Sequence, residues 1–143
     1  MAGKEYSKYY TENQIMTASP AKLVSMLYEG AIKFIDEAVE AINSEDFIKA
    51  NEKIKRVQDI VLELNLALDM ERGGALAQNL RALYNYVFQR LIQANVKKDN
   101  DILKEVRGII SDLNSTWKEA MKTLGNTANI ASDPNKPRFN ISI

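Results

Sequence analysis

The stretch FIKANEKIKRVQDIVLELNLAL, residues 47–68, carries apolar side chains at alternating steps of three and four residues. This spacing keeps them on one side of an α-helix and is typical of helices that pack nearly parallel or antiparallel to one another. The heptad row of this stretch consists of Phe47, Ala50, Ile54, Val57, Val61, Leu64 and Leu68. The same rhythm recurs later in the chain at Leu103, Val106, Ile110, Leu113, Trp117, Ala120 and Leu124.

Two further periodic segments occur in the chain, one before the first of these stretches and one between the two. Short polar or glycine-containing breaks separate all four segments. The predicted helical segments are residues 20–43, 45–70, 75–97 and 101–124. Strands are not expected, because no alternating run of β-branched residues occurs. Four helices of similar length with short connections predict an all-α fold, an antiparallel up-down-up-down four-helix bundle over residues 19–125. An N-terminal arm (1–18) and a flexible, extended C-terminal tail (126–143) flank it.

Several residues are of the types that begin and end helices. Ser19 is expected to cap the first segment, whose first residue, Pro20, suits that position. Ser44 or Asp46 is expected to cap the second segment, and Gly125 is expected to end the fourth in a left-handed conformation.

The composition argues against several classes of function. Basic and acidic residues number 19 each, so the formal net charge is +0, and nucleic acid is not expected as a partner. The chain has no cysteine and no histidine, which removes thiolate chemistry and the commonest general base and transition-metal ligand. The sequence RGGALAQN at 72–79 lacks the lysine and spacing of a phosphate-binding loop. We therefore predict no enzymatic activity, no cofactor and no metal site.

The N-terminal sequence MAGKEYSKYY lacks the apolar centre of a signal peptide, and no stretch approaches the roughly 20 apolar residues that span a bilayer. A cytosolic protein without membrane insertion is expected.

The first segment carries more apolar residues than one stripe requires. At about 100° per residue they fill a sector of about 200°, whereas the apolar stripe of a surface helix typically spans roughly 100°. The third segment is nearly as wide, and the second has an additional row. These sectors are either core or the lining of a groove for another helix, in which case Gly30 would allow a close helix–helix approach. The candidate groove residues are Tyr28, Ile32, Ile35, Val39, Ile48, Leu62, Leu66, Tyr84, Phe88 and Ile92.

The stretches themselves resemble a known family. TASPAKLVSMLYEGAIKFI at 17–35 is similar to the first helix of the flagellar secretion chaperone family, FliS. The similarity continues through IVLELNLALDMERGG at 60–74, NLRALYNYVFQRLIQAN at 79–95, the acidic turn at Asp99, and LKEVRGIISDLNSTWKEA at 103–120. It covers nearly the whole predicted bundle in the same order.

The resemblance implies a cytoplasmic helical bundle that binds the disordered C-terminal segment of flagellin. That segment would fold into helices around the chaperone, which prevents premature polymerisation before export. The arm would cover part of the groove until flagellin displaces it and would contribute to docking at a flagellar export gate component. The candidate arm residues are Tyr6, Tyr9, Tyr10 and Ile15, with Tyr10 the best match to the arm tyrosine of the family.

A second interpretation is that the apolar rows mediate self-association, so that the chain acts as a helical adaptor module. The sequence leaves the oligomeric state, including a homodimer, open.

Overall fold

The structure, a computed structural model, describes residues 19–130, with side chains up to Leu124. Four α-helices occupy this range: α1 (Pro20–Asn43), α2 (Phe47–Leu66), α3 (Gly74–Lys97) and α4 (Asn100–Ile130). No strand occurs within it, and the predicted all-α fold is confirmed. The predicted arm, and the predicted tail from residue 131 onward, lie outside the described residues.

The helices form a closed ring of neighbours. Each packs against the next in the chain, and α4 packs back against α1. Hydrogen bonds show that α2 and α3 are antiparallel: Asn95 bonds to Asn51 near the start of α2, whereas the earlier Asn85 bonds to Asn65 near its end. The contacts between α1 and α4 run in the same opposed sense. The predicted up-down-up-down bundle is confirmed.

The helix starts follow the capping residues of the sequence. The Ser19 hydroxyl accepts the backbone N–H of Lys22 at 3.2 Å, and Pro20 is the first helical residue. Asp46, not Ser44, caps α2, since its carboxylate accepts the N–H of the third residue after it at 3.1 Å. Each of these bonds satisfies a backbone donor that a helix start leaves free.

The connection between α2 and α3 falls at the predicted break, but α2 ends at Leu66 rather than near residue 70. The Asp69 carboxylate accepts the backbone N–H groups of the second and third residues after it at 3.2 and 3.0 Å. This side-chain turn competes with continuation of the helix. Gly73 and Gly74 complete the break: a Cβ at Gly73 would lie 2.7 Å from the Asp69 carbonyl oxygen, and Gly74 has φ +55°.

The predicted end of the fourth helix is wrong. α4 continues through Gly125 to Ile130, so Gly125 is not its C-terminal cap, and residues 126–130 are helical rather than extended. A glycine inside a helix costs only about 1 kcal/mol, and the preceding turns of α4 are already fixed by packing against the bundle.

The core is built from one face of every helix. Six of the seven residues in the heptad row of residues 47–68 are buried, and Phe47 is the exception at 48% exposed. The largest fully buried side chains are Ile35, Ile54, Leu64, Leu91, Leu103, Val24, Val57, Val61, Val87 and Val106.

One hydrogen bond crosses the centre of this core. The hydroxyls of Tyr28 on α1 and Tyr84 on α3 lie 2.6 Å apart. Since α1 and α3 are not neighbours around the ring, this bond joins diagonally opposite helices. Burial raises the pKa of both tyrosines above the usual value near 10, so both are neutral donors and acceptors at ordinary pH.

Gly30 lies where α1 approaches α2. A Cβ at this position would be 3.5 Å from the Ile60 Cδ1 atom, an ordinary van der Waals distance. The α1–α2 contact therefore does not require the glycine, because an alanine fits in the same space.

Candidate functional site

The ten predicted groove residues separate by burial into three sets. Tyr28, Ile35 and Tyr84 are 3%, 0% and 3% exposed. They point into the middle of the bundle, so the prediction that these three residues line a groove is wrong. The apolar sectors of α1 and α3 are wide because each helix faces two neighbours and a diagonal partner.

Three of the predicted residues are half-buried. Ile32 and Val39 on α1 and Phe88 on α3 pack against the core cluster from its edge. They support the bundle and present only part of their surface outward.

The remaining four predicted residues are exposed, and all lie on α2 or α3. Ile48, Leu62 and Leu66 on α2 are 86%, 49% and 71% exposed, and Ile92 on α3 is 38% exposed. Val96 on α3 is 80% exposed as well, although it was not among the predicted groove residues. Its spacing of four residues from Ile92, which places the two side chains on one face, could have indicated it.

These residues form one outward surface along the contact between α2 and α3. At about 100° per residue, Ile48, Leu62 and Leu66 project within about 40° of one another. The bonds from Asn51 to Asn95 and from Asn65 to Asn85 fix the register of the two helices. We call this surface the α2–α3 seam and define it by Ile48, Lys55, Leu62, Leu66, Asn85, Gln89, Ile92 and Val96.

The register places apolar side chains at both ends of the α2–α3 seam. Ile48 and Val96 flank the Asn51–Asn95 bond at one end. Leu62 and Leu66 lie around Asn65 at the other end, where it bonds to Asn85. A helix laid along the seam would therefore meet apolar side chains at two places separated by roughly 20 Å, the rise of 14 helical residues.

Ion pairs close the other three helix contacts. Lys53 of α2 pairs with Glu37 of α1 at 2.9 Å. Arg107 of α4 pairs with Asp36 of α1 at 2.7 Å, and a further α1–α4 pair, Lys118 with Glu29, is also 2.7 Å.

The α3–α4 contact is held by Arg90 and Glu105, 2.7 Å apart, with the Tyr86 hydroxyl donating to the same carboxylate at 2.9 Å. The hydrogen bond from Arg90 lowers the pKa of Glu105, and the bond from Tyr86 lowers it further. This carboxylate therefore stays ionised to unusually low pH.

The α2–α3 contact differs because no ion pair joins these two helices in the described residues. Two of its side-chain hydrogen bonds run between neutral amides, Asn95 to Asn51 at 2.7 Å and Asn65 to Asn85 at 2.9 Å. Arg81 donates to the amide oxygen of Asn65 at 3.3 Å. A partner lying over this contact would not have to break or desolvate a salt bridge.

Helix α3 is also unusual in composition. Between Gly74 and Lys97 it contains no acidic residue, and its exposed positions before Lys97 are all uncharged. Exposed faces of soluble helices are normally charged. The sequence already shows this property, which the search for apolar sectors overlooked.

A second concave feature lies at the start of α1. An open pocket of about 300 Å³ is lined by Ser19, Lys22, Trp117, Lys118 and Met121, among others. The Trp117 indole N–H donates to the carbonyl oxygen of Ala21 at 2.8 Å and ties α4 to the first turn of α1. Ser19, the first residue that the structure describes, lies at this pocket.

The described part of the chain contains no group of three or more acidic residues arranged to hold a metal ion. None of its helices combines the length and the apolar character needed to cross a membrane.

The fold and this surface define a class, the antiparallel four-helix bundles, here with an exposed apolar seam. The family model for the flagellar protein FliS matches residues 2–124. The chain belongs to the FliS family of flagellar secretion chaperones, as the sequence resemblance predicted.

Individual relatives agree with this assignment. The chain is 40% identical over 114 residues to the flagellar secretion chaperone FliS of Bacillus subtilis (strain 168), covering 80% of this chain and 84% of that protein. It is 34% identical over 117 residues to the FliS chaperone of Salmonella typhimurium, covering 81% and 87%. A solved structure described as a flagellar chaperone from bacteria has the same fold, with a TM-score of 0.69, 21% identity, and coverage of 85% of this chain and 98% of that one.

Proposed function

We propose that this protein is a cytosolic export chaperone that binds the disordered C-terminal segment of flagellin along the α2–α3 seam. The chaperone would hold flagellin unpolymerised and deliver it to the flagellar export gate. The observation that carries the proposal is a partly apolar seam that no ion pair crosses in the described residues, with Ile48, Leu66 and Val96 more than 70% exposed, on a FliS-family bundle. The relatives named flagellar secretion chaperone support this choice of partner.

Binding would be driven by apolar burial. Covering an exposed Ile, Leu or Val side chain contributes about 1.5–3 kcal/mol when burial is complete. Ordering a disordered segment on binding takes back about 2–5 kcal/mol or more. The five apolar residues of the seam can outweigh this cost, and no nucleotide, metal or covalent step is required.

Holding flagellin in this way would also prevent its polymerisation. An amphipathic helix bound to the seam has its apolar face covered and cannot offer that face to another flagellin molecule. The chaperone thus acts by occupying a surface, which agrees with the name flagellar secretion chaperone that its relatives carry.

We also propose that residues 1–18 cover part of this surface in the unbound chaperone. Tyr6, Tyr9, Tyr10 and Ile15 supply apolar area, and the same arm would contribute to docking at the export gate. Ser19 lies at the same end of the bundle as Leu66, because α1 begins where α2 ends. Eighteen extended residues reach about 60 Å, twice the roughly 30 Å length of a 20-residue helix.

Calorimetric titration of the full chain with a C-terminal fragment of flagellin from the same organism tests the proposal. We expect one-to-one binding with a strongly negative heat-capacity change between about 10 and 35 °C. Leu62→Glu should weaken binding at least tenfold. Leu76→Glu is the matched control, since Leu76 is 51% exposed but lies outside the α2–α3 seam.

The outcomes separate the two parts of the proposal. If the wild-type chain does not bind the fragment, flagellin is not its partner. If the fragment binds and Leu62→Glu has no more effect than Leu76→Glu, the contact lies elsewhere on the bundle.

Self-association is the second candidate function, and the same exposed residues favour it. Ile48 and Val96 at one end of the α2–α3 seam could pair with the seam of a second copy, giving a homodimer or an adaptor. Light scattering of the free chain between about 10 µM and 1 mM tests this: a mass that stays monomeric throughout contradicts it.

A further inference from the structure

One charged residue interrupts the apolar row of α2. Ile48, Lys55 and Leu62 follow each other at intervals of seven residues, so they project in nearly the same direction and lie about 10 Å apart along the helix. Lys55 is exposed and stands midway between the two apolar ends of the seam.

The Lys55 ammonium group has no ionic partner among the residues that the structure describes. The two other cations of this part of α2 are paired, Lys53 with Glu37 at 2.9 Å and Arg56 with Glu52 at 3.5 Å. No carboxylate of the described side chains lies within 4.0 Å of the Lys55 nitrogen.

Helix α3 offers no partner either. The Asn51–Asn95 and Asn65–Asn85 bonds enclose the stretch of the seam that contains Lys55. Opposite it on α3 lie Gln89 and Ile92, and α3 contains no acidic residue.

A helix that covers both apolar ends of the seam must pass over this lysine. Covering a cation without supplying a partner costs free energy, because the group loses water and gains nothing in return. In helical pairing, a single polar residue within an apolar row is a well-established device for fixing register.

We infer that Lys55 is a specificity-determining residue that selects a bound helix with a carboxylate at its midpoint. This rests on the proposed function. The recognised segment has an Asp or Glu seven residues from an apolar residue on each side, in the order apolar, six residues, acidic, six residues, apolar. A shift by one heptad would place an apolar side chain on Lys55 and leave the carboxylate over Ile48 or Leu62.

Charge substitutions in the full-length chain test the inference. Calorimetry with the flagellin C-terminal fragment is repeated for Lys55→Gln and Lys55→Glu. An exposed ion pair contributes little, so we expect about a threefold loss of affinity for Lys55→Gln and about tenfold or more for Lys55→Glu, where attraction becomes repulsion. Raising the salt from about 50 to 500 mM should weaken binding of the wild type more than that of Lys55→Gln.

The matched control is Lys49→Glu. Lys49 is an exposed lysine of the same helix, but it projects about a third of a turn away from Lys55. This variant makes the same charge change off the seam and should alter the affinity less than twofold.

Rescue identifies the partner residue. Each acidic residue of the fragment is changed to lysine in turn, and one such variant should bind Lys55→Glu better than it binds the wild type. That residue should have apolar residues seven positions before and after it.

The inference is overturned if Lys55→Glu binds like Lys49→Glu, or if no fragment variant restores binding to Lys55→Glu. It is also overturned if Lys55→Gln only increases self-association, since the lysine then merely protects a free apolar row. If Leu62→Glu abolishes binding while Lys55→Glu does not, the proposed function stands and the role of Lys55 falls. If the wild type does not bind the fragment, both fall together.

Discussion

Replacing Tyr84 by phenylalanine removes one hydroxyl from the centre of the bundle and leaves the Tyr28 hydroxyl without the partner 2.6 Å away. Both side chains are 3% exposed, so water does not readily replace the lost bond. Tyr28→Phe likewise leaves the Tyr84 hydroxyl without its partner. The double variant removes both hydroxyls and leaves two phenyl rings in an apolar core.

The expected magnitudes differ between the single and double variants. A buried polar group left without a partner costs about 1–3 kcal/mol, whereas removing both partners of a buried hydrogen bond is nearly neutral. Each single variant should therefore lose about 1–2 kcal/mol of unfolding free energy. For a domain of this size that corresponds to a melting temperature lower by roughly 4–8 °C. The double variant should melt within about 2 °C of the wild type.

Urea and thermal unfolding, followed by circular dichroism, measure all four proteins of this double-mutant cycle. The coupling free energy between the two positions should be about 2–4 kcal/mol in favour of the native pair, because the two single losses add up while the double variant loses almost nothing. Additive losses, with the double variant the least stable of the four, would show that the hydroxyls act independently and would refute the reasoning.

Three further predictions follow from burial and geometry. Ile35→Asp should unfold the bundle, because it places an unpaired charge at a position that is 0% exposed. Leu62→Asp, at a position that is 49% exposed, should keep its helical circular dichroism spectrum and lose flagellin binding. Equal loss of helicity in both variants would contradict this assignment of core and surface. Because burial raises the folded-state pKa of Tyr28 and Tyr84, the unfolded chain loses these protons first as the pH passes about 10. Stability should therefore fall above pH 10 and be unaffected by these groups below it; melting temperatures between pH 8 and 11 should fall more steeply for the wild type than for the double Phe variant. Gly30→Ala should stabilise the chain by about 0.5–1 kcal/mol, since the new methyl group would meet its nearest α2 neighbour at an ordinary 3.5 Å; a lower midpoint of urea unfolding would show that the helices approach too closely for it.

The order and positions of the helices could be predicted from the sequence because their signals are local. Ser19 and Asp46 bond to backbone groups three residues away, and the heptad rhythm of α2 depends only on spacing within that helix. The end of α4 could not be predicted in this way. Gly125 is a favourable local signal for the end of a helix, but the packing of the preceding turns of α4 against the bundle outweighs it.

The division between core and surface was harder, for a geometric reason. A wide apolar sector indicates that a helix has several apolar contacts, but not which edge of the sector faces inward. That depends on whether the next helix lies to the left or the right, a choice made by the whole bundle. Tyr28 and Tyr84 were therefore assigned to the surface although they meet across the core, and Val96 was missed although it is 80% exposed.

The amide pairs between α2 and α3 have a consequence for the range of partners. A carboxylate only accepts and an ammonium only donates, so exchanging the partner of an ion pair requires a charge of the right sign. An asparagine carries a donor and an acceptor on one small group and exchanges them by turning about a single bond. Asn51 and Asn85 can therefore exchange their present partners for an incoming amide, hydroxyl or backbone group. The oxygens of Asn65 and Asn95 can stay bonded to Arg81 and Lys98 meanwhile, so no charge loses its partner. The contact that lies beneath the proposed binding surface is the one most able to rearrange, so one rigid bundle could accommodate segments whose polar side chains differ in detail.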